Sequence, residues 1–171
     1  MGGPMSVNDP LPWIEPLCIL IRDASTKGIP VIGHCLGGQL MSKAFGGEIT
    51  RSPFKEIGWG TAVVEPSYFA RRWFGTMNEV SVFQWHGETF SIPPGAHRIL
   101  SNPFCSNQMF VLGPNLAMQC HIEMTEEMIS TWCESWESEV KDLEMLPTSV
   151  QTPEQMRAEA ITGLQSLRQL A

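Results

Sequence analysis

Apolar residues fall into short blocks whose spacing changes along the chain, and the changes mark the elements. Ile14, Leu17, Cys18 and Ile21 recur at the spacing of one helix face, so Trp13 to Lys27 is expected to be helical. Asn8 or Asp9 is the candidate cap and Gly28 the stop, while Pro16 fits in the first turn, where a backbone N–H would lack a helical partner anyway. Ile29-Pro30-Val31-Ile32-Gly33 is a continuous apolar run that suits a short buried strand. Leu36 to Phe45 returns to helical spacing and ends at Gly46-Gly47. Strands are expected at Gly60 to Glu65, at Val80 to Gln84, and at Gln108 to Leu112, which turns through Gly113-Pro114-Asn115 into Leu116 to Cys120. Thr125 caps a further helix with Met128, Ile129 and Trp132 on its inner face; Leu146 to Gln151 is a loop, and Thr152-Pro153 opens a last helix. Strands alternating with helices early and a hairpin late predict an α/β fold, its sheet mainly parallel with an antiparallel addition. With no repeat or linker in view, 171 residues are read as one domain.

Charge narrows the function classes. Eleven Lys and Arg against eighteen Asp and Glu leave a net charge of −7, a surface that repels phosphate backbones and anionic lipid, so neither a nucleic acid nor a membrane is an expected partner. The most apolar stretch, Leu11 to Ile21, is broken by Pro12, Glu15 and Pro16 and has no basic flank, so it resembles neither a signal peptide nor a membrane span. Cys18, Cys35, Cys105, Cys120 and Cys133 are odd in number and lack any C-x-x-C spacing. That suggests neither a disulfide framework nor a tetrathiolate zinc site and fits reduced thiols in the cytoplasm.

Gly33-His34-Cys35-Leu36-Gly37-Gly38 places one of these thiols at a strand-to-helix corner, where flanking glycines permit a tight, strained turn. A thiol there faces the unpaired N–H groups of a helix N-terminus, which favour the thiolate, and the Leu36 N–H points at the same space and can receive an oxyanion. Cys18, Cys105 and Cys133 are expected to be plain core residues. A thiolate nucleophile needs a base, and the base an orienting group. Gln119-Cys120-His121-Ile122-Glu123 offers both, because residues two apart in an extended segment face the same way and Glu123 can hold the His121 imidazole. His86, with Glu88 two residues on, is the competing histidine; a histidine in such a loop is expected to be a structural hydrogen-bonder, and His121 is preferred. His34 is expected to shape the pocket and His97 to lie on the surface. Trp132 and Trp136, four apart on one helix, suit the core or a homo-oligomer face alike.

Together these motifs resemble the class I (triad) glutamine amidotransferases. The family signature G-x-C-x-G-x-Q reads here Gly33-His34-Cys35-Leu36-Gly37-Gly38-Gln39, and Q-x-H-x-E reads Gln119-Cys120-His121-Ile122-Glu123. Gly2-Gly3-Pro4 looks like the family's G-G-P turn, which assigns the second oxyanion N–H to Gly3, and Trp85-His86-Gly87-Glu88 looks like the loop that grips the ends of glutamine. The resemblance runs from Met1 to about Leu143 and is nearest to the free-standing, GMP-synthase-like amidotransferases. It implies a flavodoxin-like α/β sheet flanked by helices, with the first strands missing: family members carry about a βαβ unit ahead of the G-G-P turn, so the chain is expected to be incomplete at its N-terminus. It also implies hydrolysis of glutamine by Cys35, His121 and Glu123, with Leu36 and Gly3 at the oxyanion and Gln39, Gly87 and Glu88 on the substrate, and with no metal or organic cofactor. Ile122 stands where many members have proline, pointing away from the triad. The ammonia is expected to pass to a separate synthetase, since no G-x-x-x-x-G-K-[ST] motif is present. Alternatives are a stand-alone hydrolase of γ-glutamyl compounds and a non-catalytic binding remnant, the last disfavoured by the intact triad.

Overall fold

The computed structural model describes residues 2–170. Six strands form one sheet in the order β1-β6-β5-β4-β2-β3: β1 (Ile32–His34), β2 (Ile49–Val64), β3 (Glu79–Phe90), β4 (His97–Ser101), β5 (Met109–Leu112) and β6 (Asn115–Met118). The helices are α1 (Ile14–Thr26), α2 (Leu36–Ala44), α3 (Tyr68–Phe74), α4 (Glu126–Glu134), α5 (Trp136–Val140) and α6 (Pro153–Leu167). The α/β architecture is as expected, but the balance of strand directions is not. Among the described strands only β1 and β6 run parallel, with Ile32 opposite Leu116, and the other neighbouring pairs are antiparallel. A parallel pair needs a long crossover, which the chain between β1 and β6 supplies and the short connections from β4 to β5 and from β5 to β6 cannot.

Period-two alternation divides the core between the two faces. Leu116 and Met118 of β6, with Cys120 just beyond it, join a cluster with Phe74, Val82, Ile99 and Leu100 under α3, while Ala117 joins Cys18, Leu40, Phe90 and Phe110 under α1 and α2. A third cluster, with Ile57, Phe83, Ile129, Met156 and Leu164, seats α4 and α6 on the far end of β2 and β3. Both later helices begin as their sequences require. Thr125 accepts from the Met128 N–H, and Thr152 and Gln155 form a reciprocal capping box ahead of Pro153.

Several boundaries differ from expectation. Neither Asn8 nor Asp9 caps α1: Asn8 donates to the Ile49 carbonyl, Asp9 accepts from the Ser6 N–H, and the helix opens at Trp13 without a side-chain cap. Gly28, at φ +71°, ends it as expected. The run from Ile29 is not a buried strand: β1 begins only at Ile32 and is a sheet edge, with Ile32 60% exposed, and Ile29 ahead of it is 54% exposed. β2 and β3 run far beyond their expected ends, β4 and α3 carry no local sequence signal, and Trp132 and Trp136, expected on one helix, fall on two, because the helix breaks at Ser135 between α4 and α5. β2 was hidden by Pro53, Gly58 and Gly60, all turn formers. Pro53 lies within a register shift between Arg51 and Glu56, and Gly58, at φ +105°, lies against the Gln151 side chain, where a Cβ would collide.

Candidate active site

Cys35 is the single residue between β1 and α2. Its backbone sits at φ 48°, ψ −109°, and it is the one non-glycine residue at positive φ among those described, a conformation that costs about 1–3 kcal/mol. Neighbouring bonds hold it there: its N–H donates to the Met118 carbonyl at 2.8 Å, and its carbonyl accepts from the Gln39 N–H at 2.9 Å. The glycines around it serve close approach. A Cβ at Gly33 would strike the backbone of Gly37, and one at Gly38 the backbone of Met118, so any side chain would push α2 away from β1 and β6. The thiol is buried, with Gln119 Nε2 3.7 Å and the Trp85 carbonyl 3.8 Å from Sγ. Leu36 opens α2, so its N–H has no partner within the helix.

His121 arrives beside the thiol because the chain leaving β6 bridges to β3. The His121 N–H donates to the Phe83 carbonyl at 2.8 Å, and the Phe83 N–H donates to the His121 carbonyl at 3.1 Å. With its backbone fixed from both sides, the imidazole is 1% exposed, and its Nδ1 lies 2.6 Å from Glu123 Oε1. The two therefore share one side of the segment, as their spacing predicts. Trp132 of α4 packs edge-on to the ring at 4.8 Å, and His34 Nε2 lies 3.5 Å from Glu123 Oε2. Burial alone would push the His121 pKa down. The hydrogen bonds and charges of Cys35 and Glu123 overcome it and lift the imidazole to about 9. Burial likewise pushes Glu123 up, but its bond to His121 and that ring's charge hold the carboxyl below its ordinary range. His34 is pushed down by burial, against the pull of Glu123.

Two cavities meet at Cys35. The first, about 450 Å³, contains the other expected contacts: Gly3, Gln39, Gly87 and Glu88 all line it. Gln39 is braced within the protein, its Nε2 3.2 Å from Gln119 Oε1 and 3.4 Å from the Glu88 carbonyl. Arg51 and Lys55, which sequence reasoning did not single out, bring cationic side chains to the same wall, and Lys55 Nζ pairs with Glu139 Oε2 at 2.7 Å. Both stand at the register shift in β2, which carries residues 52–55 out of the ladder opposite Gly87. The second cavity, about 540 Å³, also includes Gly3 and lies on the His121 side.

His86 is not a second base at the thiol. Its Nδ1 faces the Glu88 carbonyl at 3.0 Å, and its Nε2 lies 3.0 Å from Glu56 Oε2, off the line of an aligned hydrogen bond. Glu56 is 2% exposed and accepts from Asn102 Nδ2 at 2.6 Å and Gln108 Nε2 at 3.0 Å. His86, Gly87 and Glu88, expected in a loop, lie inside β3, because β2 pairs on both sides of Gly87, and this buried pair ties that stretch of β3 to β2. Nothing in the sequence marks Glu56 out, since an acidic residue on a strand is ordinarily exposed. Glu56, His86 and Cys105 are also the one cluster of potential metal ligands among the described residues, their donor atoms within 4.8 Å of one another. Protein groups already surround them, with Thr89 Oγ1 3.2 Å from Cys105 Sγ. His97, by contrast, stacks on Phe69 at the surface, and Trp136 spends its indole N–H on the Gln151 carbonyl at 2.7 Å. Cys18, Cys105 and Cys133 are buried, as expected of core residues, and no helix among the described residues is long and apolar enough to cross a membrane.

A thiol at a helix N-terminus, an imidazole held by a carboxylate and a free N–H beside the thiol are together competent for attack on a carbonyl carbon. Residues 1–131 match the model of the family described as glutamine amidotransferase class-I. A crystal structure of a glutamine amido transferase from Methylobacillus flagellatus superposes with a TM-score of 0.93 at 45% identity, covering 99% of this chain and 70% of that one. The glutamine amidotransferase-like protein YfeJ of Salmonella typhimurium is 27% identical over 148 residues, 82% of this chain. The GMP synthase [glutamine-hydrolyzing] of Streptomyces coelicolor is 36% identical over 95 residues, 54% of this chain and 16% of that protein. The chain spans 62% of the length of YfeJ. From its match over residues 1–131 and its closeness to these structures, the chain belongs to the class I glutamine amidotransferase family and is of the GMP-synthase-like type.

Proposed function

We propose that the chain hydrolyses the side-chain amide of glutamine through a thioester on Cys35. The observation that carries this reading is the strained Cys35 elbow set against the buried His121 and the Glu123 carboxylate bonded to it, at the point where a polar cavity ends. Glutamine lies in the first cavity, its α-carboxylate toward Arg51 and Lys55 and its α-ammonium toward the carbonyls and carboxylates of the Glu88 side. Cys35 attacks the amide carbon, and the N–H groups of Leu36 and Gly3 receive the negative charge that develops on oxygen. His121, protonated at neutral pH, gives its proton to the departing ammonia; the thioester remains on Cys35. Water then enters, His121 takes its proton, and glutamate leaves. Glu123 keeps the imidazole oriented and favours its charged form. Gln39 acts by bracing β3 at Glu88 as well as by lining the site.

The released ammonia is used by a separate synthetase, as the likeness to GMP synthases suggests. Ammonia and glutamate release from glutamine tests the reading directly. Cys35→Ala should abolish turnover, and His121→Ala should lower it by roughly 10²–10⁴-fold with little change in glutamine binding, which is the usual worth of a general acid–base group. Full activity in Cys35→Ala would refute the thioester.

A further inference from the structure

The second cavity at Cys35 is far larger than the departing group of glutamine requires. Its volume is about 540 Å³, whereas a molecule the size of water or ammonia occupies about 30 Å³. His121 lines this cavity and not the first. That division orients the scissile amide. With the glutamyl part held by the first cavity and the carbonyl carbon at Cys35, the nitrogen that receives the His121 proton faces the second cavity. Any substituent on that nitrogen must lie within it.

The walls say what the substituent is. Trp85 and Trp132 meet edge to face at 5.6 Å and, with Met128, give an aromatic and thioether surface next to His121. Ser135 and Ser138 stand at the rim, and the carboxylates present, Glu123 and Glu139, are already engaged with His121 and Lys55. No Lys or Arg lines this cavity among the described residues. A carboxylate on the leaving group would be desolvated there without a cation to receive it.

Resting on the Cys35 chemistry above, we propose that the site accepts γ-glutamyl amides whose leaving amine bears an apolar, ring-sized substituent and no carboxylate. The atoms balance as for glutamine. The Cys35 sulfur bonds to the amide carbon, the C–N bond breaks, the amine departs with the proton from His121, and water hydrolyses the thioester to glutamate.

The test compares L-glutamine, γ-glutamyl-benzylamide and γ-glutamyl-phenylalanine as substrates of the full chain, reading glutamate release. The benzylamide should match or exceed glutamine in kcat/KM, and γ-glutamyl-phenylalanine, which adds only a carboxylate beside the same ring, should be at least about tenfold poorer than the benzylamide. Ser138→Arg, which places a cation at the rim, should narrow or reverse the ratio between the two whatever the absolute rates. Hydrolysis of glutamine with the benzylamide about a hundredfold poorer would overturn this inference and leave glutamine hydrolysis standing, the cavity then serving ammonia alone. Equal or faster cleavage of γ-glutamyl-phenylalanine would overturn it too. Inertness toward all three would refute the Cys35 reading itself.

Discussion

Replacing Glu123 by glutamine tests how the imidazole is charged. The Nδ1–Oε1 contact is 2.6 Å and the ring is 1% exposed, so little solvent competes at the imidazole, although the carboxylate itself is 34% exposed. With its pKa lifted to about 9, His121 is about 97% protonated at pH 7.5, while at its ordinary value of 6.5 it would be about 9% protonated. Complete loss of the lift would thus remove roughly a factor of ten in the charged form. Cys35 supplies part of that lift and remains in the variant, so protonation alone accounts for less than tenfold. Loss of orientation adds to it, because an amide can turn its NH₂ toward Nδ1 and reverse the tautomer. Turnover of glutamine at pH 7.5 should fall by about 10- to 100-fold with KM nearly unchanged. The pH profile carries the sharper signature. A group whose folded pKa is raised is fully charged below its unfolded value and discharges as pH rises through the folded one, so wild-type kcat/KM should decline near pH 9. In Glu123→Gln that decline should begin at lower pH. The same linkage makes His121 a stabilising group below pH 6.5 whose contribution is lost as pH passes about 9. Screening at the part-exposed carboxylate limits the share of Glu123 to about 1–2 kcal/mol, visible as a lowered thermal midpoint at pH 6 that converges on wild type above pH 9. An alkaline limb that stays in place in the variant would refute the reasoning.

Brief treatment with a glutamine-like electrophile should alkylate Cys35 first, because burial pushes the thiols of Cys18, Cys105, Cys120 and Cys133 up; mass spectrometry that finds Cys105 or Cys120 labelled first would contradict the elbow. Glu56→Gln should raise KM for glutamine more than it lowers kcat and cost about 1–3 kcal/mol of stability, since it removes the charge facing His86 beside Gly87 and Glu88 of β3; an unchanged KM would detach that pair from the site. Gly38→Ala should lower the thermal midpoint by the equivalent of about 1–3 kcal/mol or more, as its Cβ enters the Met118 backbone, and a wild-type midpoint would show that α2 can shift freely.

What could be read from the sequence depended on how local its physical cause was. The glycines at positions 33, 37 and 38 announce the corner at Cys35 because a tight turn and a close helix approach act within a few residues. His121 and Glu123 lie two apart on extended backbone, so their meeting is also local. The helix starts at Thr125 and Thr152 are legible for the same reason, each being set by one side chain and the next turn of backbone. Strand direction is different. Whether β4, β5 and β2 run antiparallel depends on which partner each finds, and no residue on one strand encodes its neighbour.

The wall of the first cavity shows where local reasoning stops. Arg51 and Lys55 carry no local signal that sets them apart, and Pro53 between them disfavours a strand interior. In the folded chain Arg51 pairs opposite Glu88 and Glu56 opposite His86, so five steps along β2 answer two along β3, and the excess bulges out over Gly87. The same irregularity that hid the strand therefore aims Lys55 across the cavity toward Glu139 and turns Glu56 inward against His86. Within the bulge the adjacent residues Lys55 and Glu56 meet different surroundings, the cation at the cavity wall and the carboxylate inward against His86. The bulge is thus what connects the fold to the chemistry: it joins the stretch of β3 that faces Cys35 to β2, and it does so through pairings that exist only after β2 and β3 have met.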